Sequence, residues 1–359
     1  MNRIKRNLVF IALGLPALLL CGCETLHYYG QAISGQYSIL SKRTPISEII
    51  ADPAAPEVLK ERLRFILAVR QFAGSVLYLP VKDNYLTYVE LDRPYVVWNV
   101  FAAPEFSLTP TTWCYPVVGC ASYRGYFSER DAHQFASALN DKGYDVYVAG
   151  VTAYSTLGWF DDPVLSTFIQ YSKAQSAGLI FHELAHQALY VKDDTVFNES
   201  FATAVEQEGL RRWQQATQDP QIYSDYITGY RLQEKFVQLI LHYRRLLETL
   251  YRTDASSSAK RDKKASIFAG LRDEFERLNT KETGFSVYAD WIYHGLNNAK
   301  IGSVAAYHEF VPAFQKMLAQ SNGDLDQFYQ ACRQLGKKEK AERHRILKAL
   351  DLHLPVIQP

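Results

Sequence analysis

No sign of charge predominates in this chain. Lys+Arg 39 against Asp+Glu 38 leaves +1, so no global positive field points to nucleic acid as a partner. Glycine (19) and proline (14) are few among 359 residues, which excludes a fibrous protein. With 48% hydrophobic and 21% charged residues the chain is also too apolar for disorder. A mean hydropathy of −0.19 excludes a polytopic membrane protein. Cysteine is sparse, five in all with no C-x-x-C pair, and this rules out a cysteine zinc site or a thioredoxin-like motif. What remains is a globular body large enough for one big domain or two ordinary ones.

The N-terminus reads as an address. Arg3, Lys5 and Arg6 precede the almost wholly apolar run Leu8 to Leu20, which at about 13 residues is short for a bilayer span and fits a signal-peptide core. It ends in Leu20-Cys21-Gly22-Cys23, which resembles the lipobox of bacterial lipoproteins. That resemblance implies loss of residues 1–22 and lipid on Cys23, a tether that needs no transmembrane helix. An ordinary signal peptide or an uncleaved anchor with incidental cysteines is the alternative. Glu24 in place of Asp favours the outer membrane facing the periplasm, with the inner membrane as second choice. Removal of the three cations takes the side-chain charge from +1 to −2. In an oxidising compartment Cys114 and Cys120, flanking a short Pro/Gly loop, can close a disulfide worth about 2 kcal/mol; two free thiols are the other reading. Cys332 is left as a buried small hydrophobe.

Residues 24–43 read as a spacer leading into Tyr28 to Leu40. Glu57 to Phe72 has helical spacing after Pro53 and Pro56. Val76 to Val100 alternates as two or three strands, and Phe101 to Cys120 reads as irregular. Glu129 to Lys142 is helical, closed by Gly143, and Tyr144 to Ala153 is a strand. Asp161-Asp162-Pro163 looks like a cap with proline at the first helical position. From there to Leu354 nearly everything is helical, with Arg252 to Lys264 as an exposed connection. The class is α+β: a small antiparallel or mixed sheet in the N-terminal half and a largely helical C-terminal half.

The chemistry lies in that helical half. Residues 182–186 read His182-Glu183-Leu-Ala-His186 inside an apolar run. Positions four apart on a helix differ by about 40°, so both imidazoles face one point and can share a zinc ion. Glu183 stands beside them as a base for water. Two histidines and a water leave room for a third protein ligand. Glu199, in Asn198-Glu199-Ser200-Phe201-Ala202, is the candidate, because its helical neighbours Phe201, Ala202 and Val205 suit a buried position. Glu206, seven residues on and on the same face, is placed either to orient a ligand histidine or as a surface carboxylate.

His182-Glu183-x-x-His186 followed by Asn198-Glu199-x-x-Ala202 resembles the gluzincin metallopeptidases. Within that clan the chain resembles the bacterial predicted aminopeptidase family of lipoproteins, through Tyr28-Tyr29-Gly-Gln, Tyr123-Arg124-Gly125-Tyr126-Phe127, Ala153-Tyr154-Ser155-Thr156-Leu157-Gly158-Trp159-Phe160 and Leu296-Asn297-Asn298-Ala299 with Tyr307. Two departures stand out. The interval from His186 to Glu199 is shorter than in the aminopeptidase branch, and the G-x-M-E-N motif that grips a substrate α-amine there is missing.

The resemblance implies a zincin-like fold, one zinc ion, and hydrolysis of a peptide bond in a peptide or protein substrate. Glu183 takes the proton of the attacking water and returns it to the leaving amine. It further implies a Tyr or His donor to the oxyanion from the downstream helices: Tyr307, with Tyr293 and His294 as competitors. Strand 144–153 lies along the cleft, its edge available to an extended substrate. Tyr154, Ser155 and Thr156 form the cleft rim, or else only a tight turn under Trp159. The organisation is then a lipoprotein signal peptide (1–22), a lipidated Cys23 with spacer (23–43) and a metallopeptidase domain (44–359), in which a sheet-bearing part of about 70–160 precedes helices at about 161–354. The competing readings are a non-catalytic zinc-binding scaffold and an endopeptidase of the same fold.

Overall fold

A computed structural model describes residues 25–115, 119–218 and 220–351, with backbone alone at 220–227, 306, 307 and 351. The expected signal segment 1–22 and Cys23 lie outside the described residues. The chain begins with helix α1 (25–41), strand β1 (Thr44–Pro45), α2 (Ile46–Ala51) and α3 (Glu57–Ser75). Strands β2 (Thr87–Val89), β3 (Val97–Pro104), β4 (Trp113–Tyr115), β5 (Gly119–Ala121) and β6 (Arg124–Tyr126) lead to α4 (Glu129–Asn140), β7 (Tyr144–Val151) and β8 (Val164–Leu165). The remainder is helical: α5 (Ser166–Ile169), α6 (Lys173–Ala188), α7 (Thr195–Thr217), α8 (Pro220–Tyr251), α9 (Ser257–Lys281), a 3-10 turn (Phe285–Tyr288), α10 (Ala289–Tyr293), α11 (Asn298–His308), α12 (Val311–Gln320), α13 (Leu325–Gly336) and α14 (Lys340–Asp351). The fold is thus α+β, with small sheets in the N-terminal half and a mostly helical C-terminal half.

Alternation in β3 decides how the principal sheet is covered. Its order is β6-β3-β7, all antiparallel, with Asn99 opposite Gly125 on one side and Ala149 on the other. Trp98, Val100 and Ala102 point to one face and pack on Ala132, Ala136 and Leu139 of α4. Phe101 and Ala103 point to the other and meet Ala299 of α11. A second sheet, β1-β2-β8, pairs β2 with β8 in parallel, and β4 and β5 form a hairpin. The main core gathers α3 (Leu63, Ile66, Val69), α6 (Ile180, Phe181, Leu184), α7 (Phe197, Phe201, Val205) and the C-terminal helices (Phe314, Phe328, Leu347). Helices α8, α9 and α11 share another core around Ile240, Leu271, Phe275 and Ile301.

Four segments differ from the sequence expectation. The stretch read as a spacer is helix α1, docked by a hydrogen bond from the Phe127 N–H to Gln31 Oε1 (2.9 Å) and by Arg124 stacked 4.1 Å over the Tyr28 ring. Packing supplies what its glycines and serines lack in helical propensity. Part of the region read as irregular is the β4–β5 hairpin, in which Cys114 faces Cys120 and their sulfurs are bonded. Asp161-Asp162-Pro163 does not start a helix: Pro163 precedes β8, and the metal-site helix begins at Lys173 after a capping box of Ser172 and Gln175. The connection expected to run to Lys264 ends earlier, since Ser256 caps α9.

Candidate metal centre

Helices α6 and α7 are drawn together at two glycines. A Cβ on Gly178 would sit 3.0 Å from Glu206 Oε1, and one on Gly209 would come within 2.6 Å of the Phe181 ring. The turn between the helices is held from inside. Asn198 Oδ1 accepts the Val191 N–H (2.7 Å) while its Nδ2 donates to the Val191 carbonyl (2.8 Å). Asp194 caps α7 by accepting from the Phe197 N–H, and its carboxylate receives Arg343 (2.7 Å) and His344 (2.9 Å) from α14. These fixtures set the short interval between His186 and Glu199.

They also bring three buried side chains together. Glu199 Oε2 lies 3.3 Å from His182 Nε2 and 3.5 Å from His186 Nε2, with the rings 4.9 Å apart at 82°. One ligand atom from each of His182, His186 and Glu199 falls within 4.8 Å of the others, so the group could hold a metal ion. The spacing suits one. The His182–Glu199 contact is a long hydrogen bond at 3.3 Å, where charge-assisted ones run at about 2.7–2.9 Å. Ligands about 2.1 Å from a tetrahedral ion stand about 3.4 Å apart. Two imidazoles and one carboxylate are a donor set that a zinc-like ion accepts. Glu206 Oε2 sits 3.1 Å from His182 Nδ1; since a carboxylate only accepts, Nδ1 would keep its proton and Nε2 would be the ligand atom if a metal were bound. His186 Nδ1 is buried with no partner among the described residues, so that ring is held by its packing and, through Nε2, by Glu199.

With no metal between them His182 and Glu199 hold each other as ions. Burial pushes the Glu199 carboxyl up, but the charges and hydrogen bonds of His186 and His182 outweigh it and hold it at about 2. Burial alone would lower the His182 imidazole, yet hydrogen bonds to Glu199 and Glu206 raise it well above its ordinary range. For Glu183, burial prevails and raises the carboxyl, with the Glu199 charge adding to the rise. A buried carboxylate of raised proton affinity is suited to proton transfer.

A cavity of about 1270 Å³ opens over the cluster. Tyr154 and Ser155 line it, whereas Thr156 is turned to Asp162, donating from Oγ1 at 2.7 Å. Asp162 also receives Gln187 Nε2 (3.2 Å), so the rim turn is tied to the residue after His186. Strand β7 contributes its C-terminal end from Val151 on, and Asn297 Nδ2 occupies its outward carbonyl at Val146. Tyr307 lies on α11 with its side chain outside the described set. Tyr293 is bonded to Glu276 and His294 to Asp290, and neither lines the cavity.

Several lining residues carried no sequence signal of their own: Tyr28 and Tyr29 from α1, Tyr190 after α6, and Tyr123. Burial raises the Tyr123 hydroxyl, and it also senses the charges of Glu199 and Glu183. Tyr28, Tyr29 and Tyr123 do fall in stretches that carried the family resemblance, which was the one pointer to them.

No curated protein and no solved structure matches the chain. A family model described as putative aminopeptidase matches residues 27–347, a span that takes in α1, the metal cluster and the Arg343 clamp. The chain belongs to that aminopeptidase family.

Proposed function

We propose that the protein is a zinc-dependent peptidase held to a bacterial membrane, the outer membrane in first place, by lipid on Cys23. His182, His186 and Glu199 hold the ion, and Glu183 is the general base. The observation that carries the reading is the convergence of two imidazoles on one carboxylate oxygen, next to a buried second carboxylate, at the wall of a large cavity. Zinc bound there supplies Lewis-acid chemistry, polarising the scissile carbonyl and making water acidic near neutral pH. The Glu183 carboxylate takes the proton of the attacking water and delivers it to the leaving nitrogen. Glu206 keeps the proton on His182 Nδ1 and fixes that ring. Tyr123, which lines the cavity and senses both Glu183 and Glu199, is our candidate to donate to the developing oxyanion; Tyr307 and Tyr190 are its rivals.

Glu183→Gln tests the reading. Both proteins should retain zinc, and the variant should lose about 10²–10⁴-fold in peptide hydrolysis. Wild type that holds zinc yet cleaves nothing in a broad peptide library would establish the scaffold reading. Internal cleavage is the second reading. Among the described lining residues the acids are Glu183, Glu199 and Glu206; the first is the base and the other two are engaged with His182, so none is left to grip a free α-amine. Equal cleavage of a free and an N-acetylated peptide supports the endopeptidase; cleavage of the free form alone supports the aminopeptidase.

A further inference from the structure

Helix α1 is unusual for a surface helix. Its 17 residues, 25–41, include no Asp, Glu, Lys or Arg, although a water-facing helix ordinarily carries charge on its outer face. Its inner face is committed. Tyr28 and Tyr29 line the cavity, Gln31 binds the Phe127 N–H, and Gln36 accepts from the Tyr154 hydroxyl. The helix cannot roll to hide its outer side, where Leu26 (73% exposed), Ile33 (69%) and Tyr37 (71%) follow one another at spacings of seven and four. The rim turn carries Trp159 (67%) and Phe160 (46%). It is joined to the end of α1 by the Tyr154–Gln36 contact and by Arg43 donating to the Asp161 carbonyl.

We propose that this uncharged face of α1, together with the Trp159–Phe160 turn, rests in the headgroup region of a lipid bilayer. The protein then lies on the membrane through its own surface and does not merely hang from a tether. The inference rests on the membrane attachment proposed for Cys23. Leu26 is three residues beyond that cysteine, a reach of at most about 10 Å, which keeps the start of the stripe at headgroup level. Tryptophan and tyrosine favour that depth. With no cation on α1 the contact is apolar, unlike the basic interfacial helices that depend on anionic lipid. The cavity, which α1 and the rim turn wall on their other sides, is thereby held next to the lipid surface.

Trp159 is its own reporter. Trp98 and Trp213 are buried, and Trp113 and Trp291 are half-buried. The full chain is bound to phosphatidylcholine vesicles containing acyl-brominated lipid, and tryptophan fluorescence is read at low and high salt. The expected result is quenching that is lost in Trp159→Phe, restored when Ile33→Trp is added to that variant, and unchanged by salt. Co-sedimentation separates this inference from its premise. Protein that pellets with vesicles while Trp159 answers only to aqueous iodide keeps its anchor and overturns the docked face. Protein that fails to pellet overturns both. A concentration-dependent blue shift without lipid assigns the face to a second copy of the chain and also overturns the proposal.

Discussion

At the scale of single residues, the two histidines are unequal although the motif treats them alike. His182 has Glu206 on its Nδ1 across the helix pair, whereas the Nδ1 of His186 has no partner among the described residues. Glu206→Ala should therefore lower metal affinity about 10–100-fold, measured by competition with a chelating indicator, with the fold unchanged by circular dichroism. Tyr123 gives a second prediction. If its hydroxyl serves the oxyanion, Tyr123→Phe should cut kcat about 10²–10³-fold with little change in KM. Tyr293→Phe, whose hydroxyl is engaged with Glu276, should behave as wild type.

At the scale of elements, the start of α7 depends on a helix far away in sequence. The carboxylate of Asp194 is fully buried and its partner Arg343 nearly so. Removing one partner of such a pair strands the other charge, so Asp194→Asn should cost about 3–5 kcal/mol, read as a lower urea midpoint. Burial alone would raise the Asp194 carboxyl, but hydrogen bonds from His344 and Arg343 hold it below its ordinary value of 3.8. A depressed folded pKa contributes stability that is present above the unfolded value and disappears as pH falls through the folded one. The gap in Tm between wild type and variant should thus be widest above about pH 5 and narrow below about pH 4, which a pH series of thermal melts would show. None of this was legible in sequence, because a contact 149 residues long leaves no local pattern. The metal-site helix was legible, since its ligands repeat with the helical period and its apolar residues mark a buried run. The β4–β5 hairpin was hidden by strands of three residues each, closed by a disulfide. Helix α1 was hidden because its order comes from docking on β6 and Phe127. Pro163 misled because a cap followed by proline also suits a turn into a strand.

At the scale of the whole molecule, the candidate metal centre joins distant parts of the chain: α6 and α7 carry the His182–His186–Glu199 cluster, α14 braces them, and α1 walls the cavity. A ligand bound only by the folded state stabilises all of it. Metal at a thousandfold excess over its Kd should add about 4 kcal/mol, so a chelator should lower Tm in the wild type and leave it unmoved in His182→Ala, a comparison suited to calorimetry. The brace from α14 also has a consequence in time. Asp194 is synthesised 149 residues before Arg343, an interval of roughly 7–30 s at 5–20 residues per second. Throughout that interval the Asp194 carboxylate lacks both of its α14 partners, so the bracing of the candidate metal centre waits for the C-terminal helix.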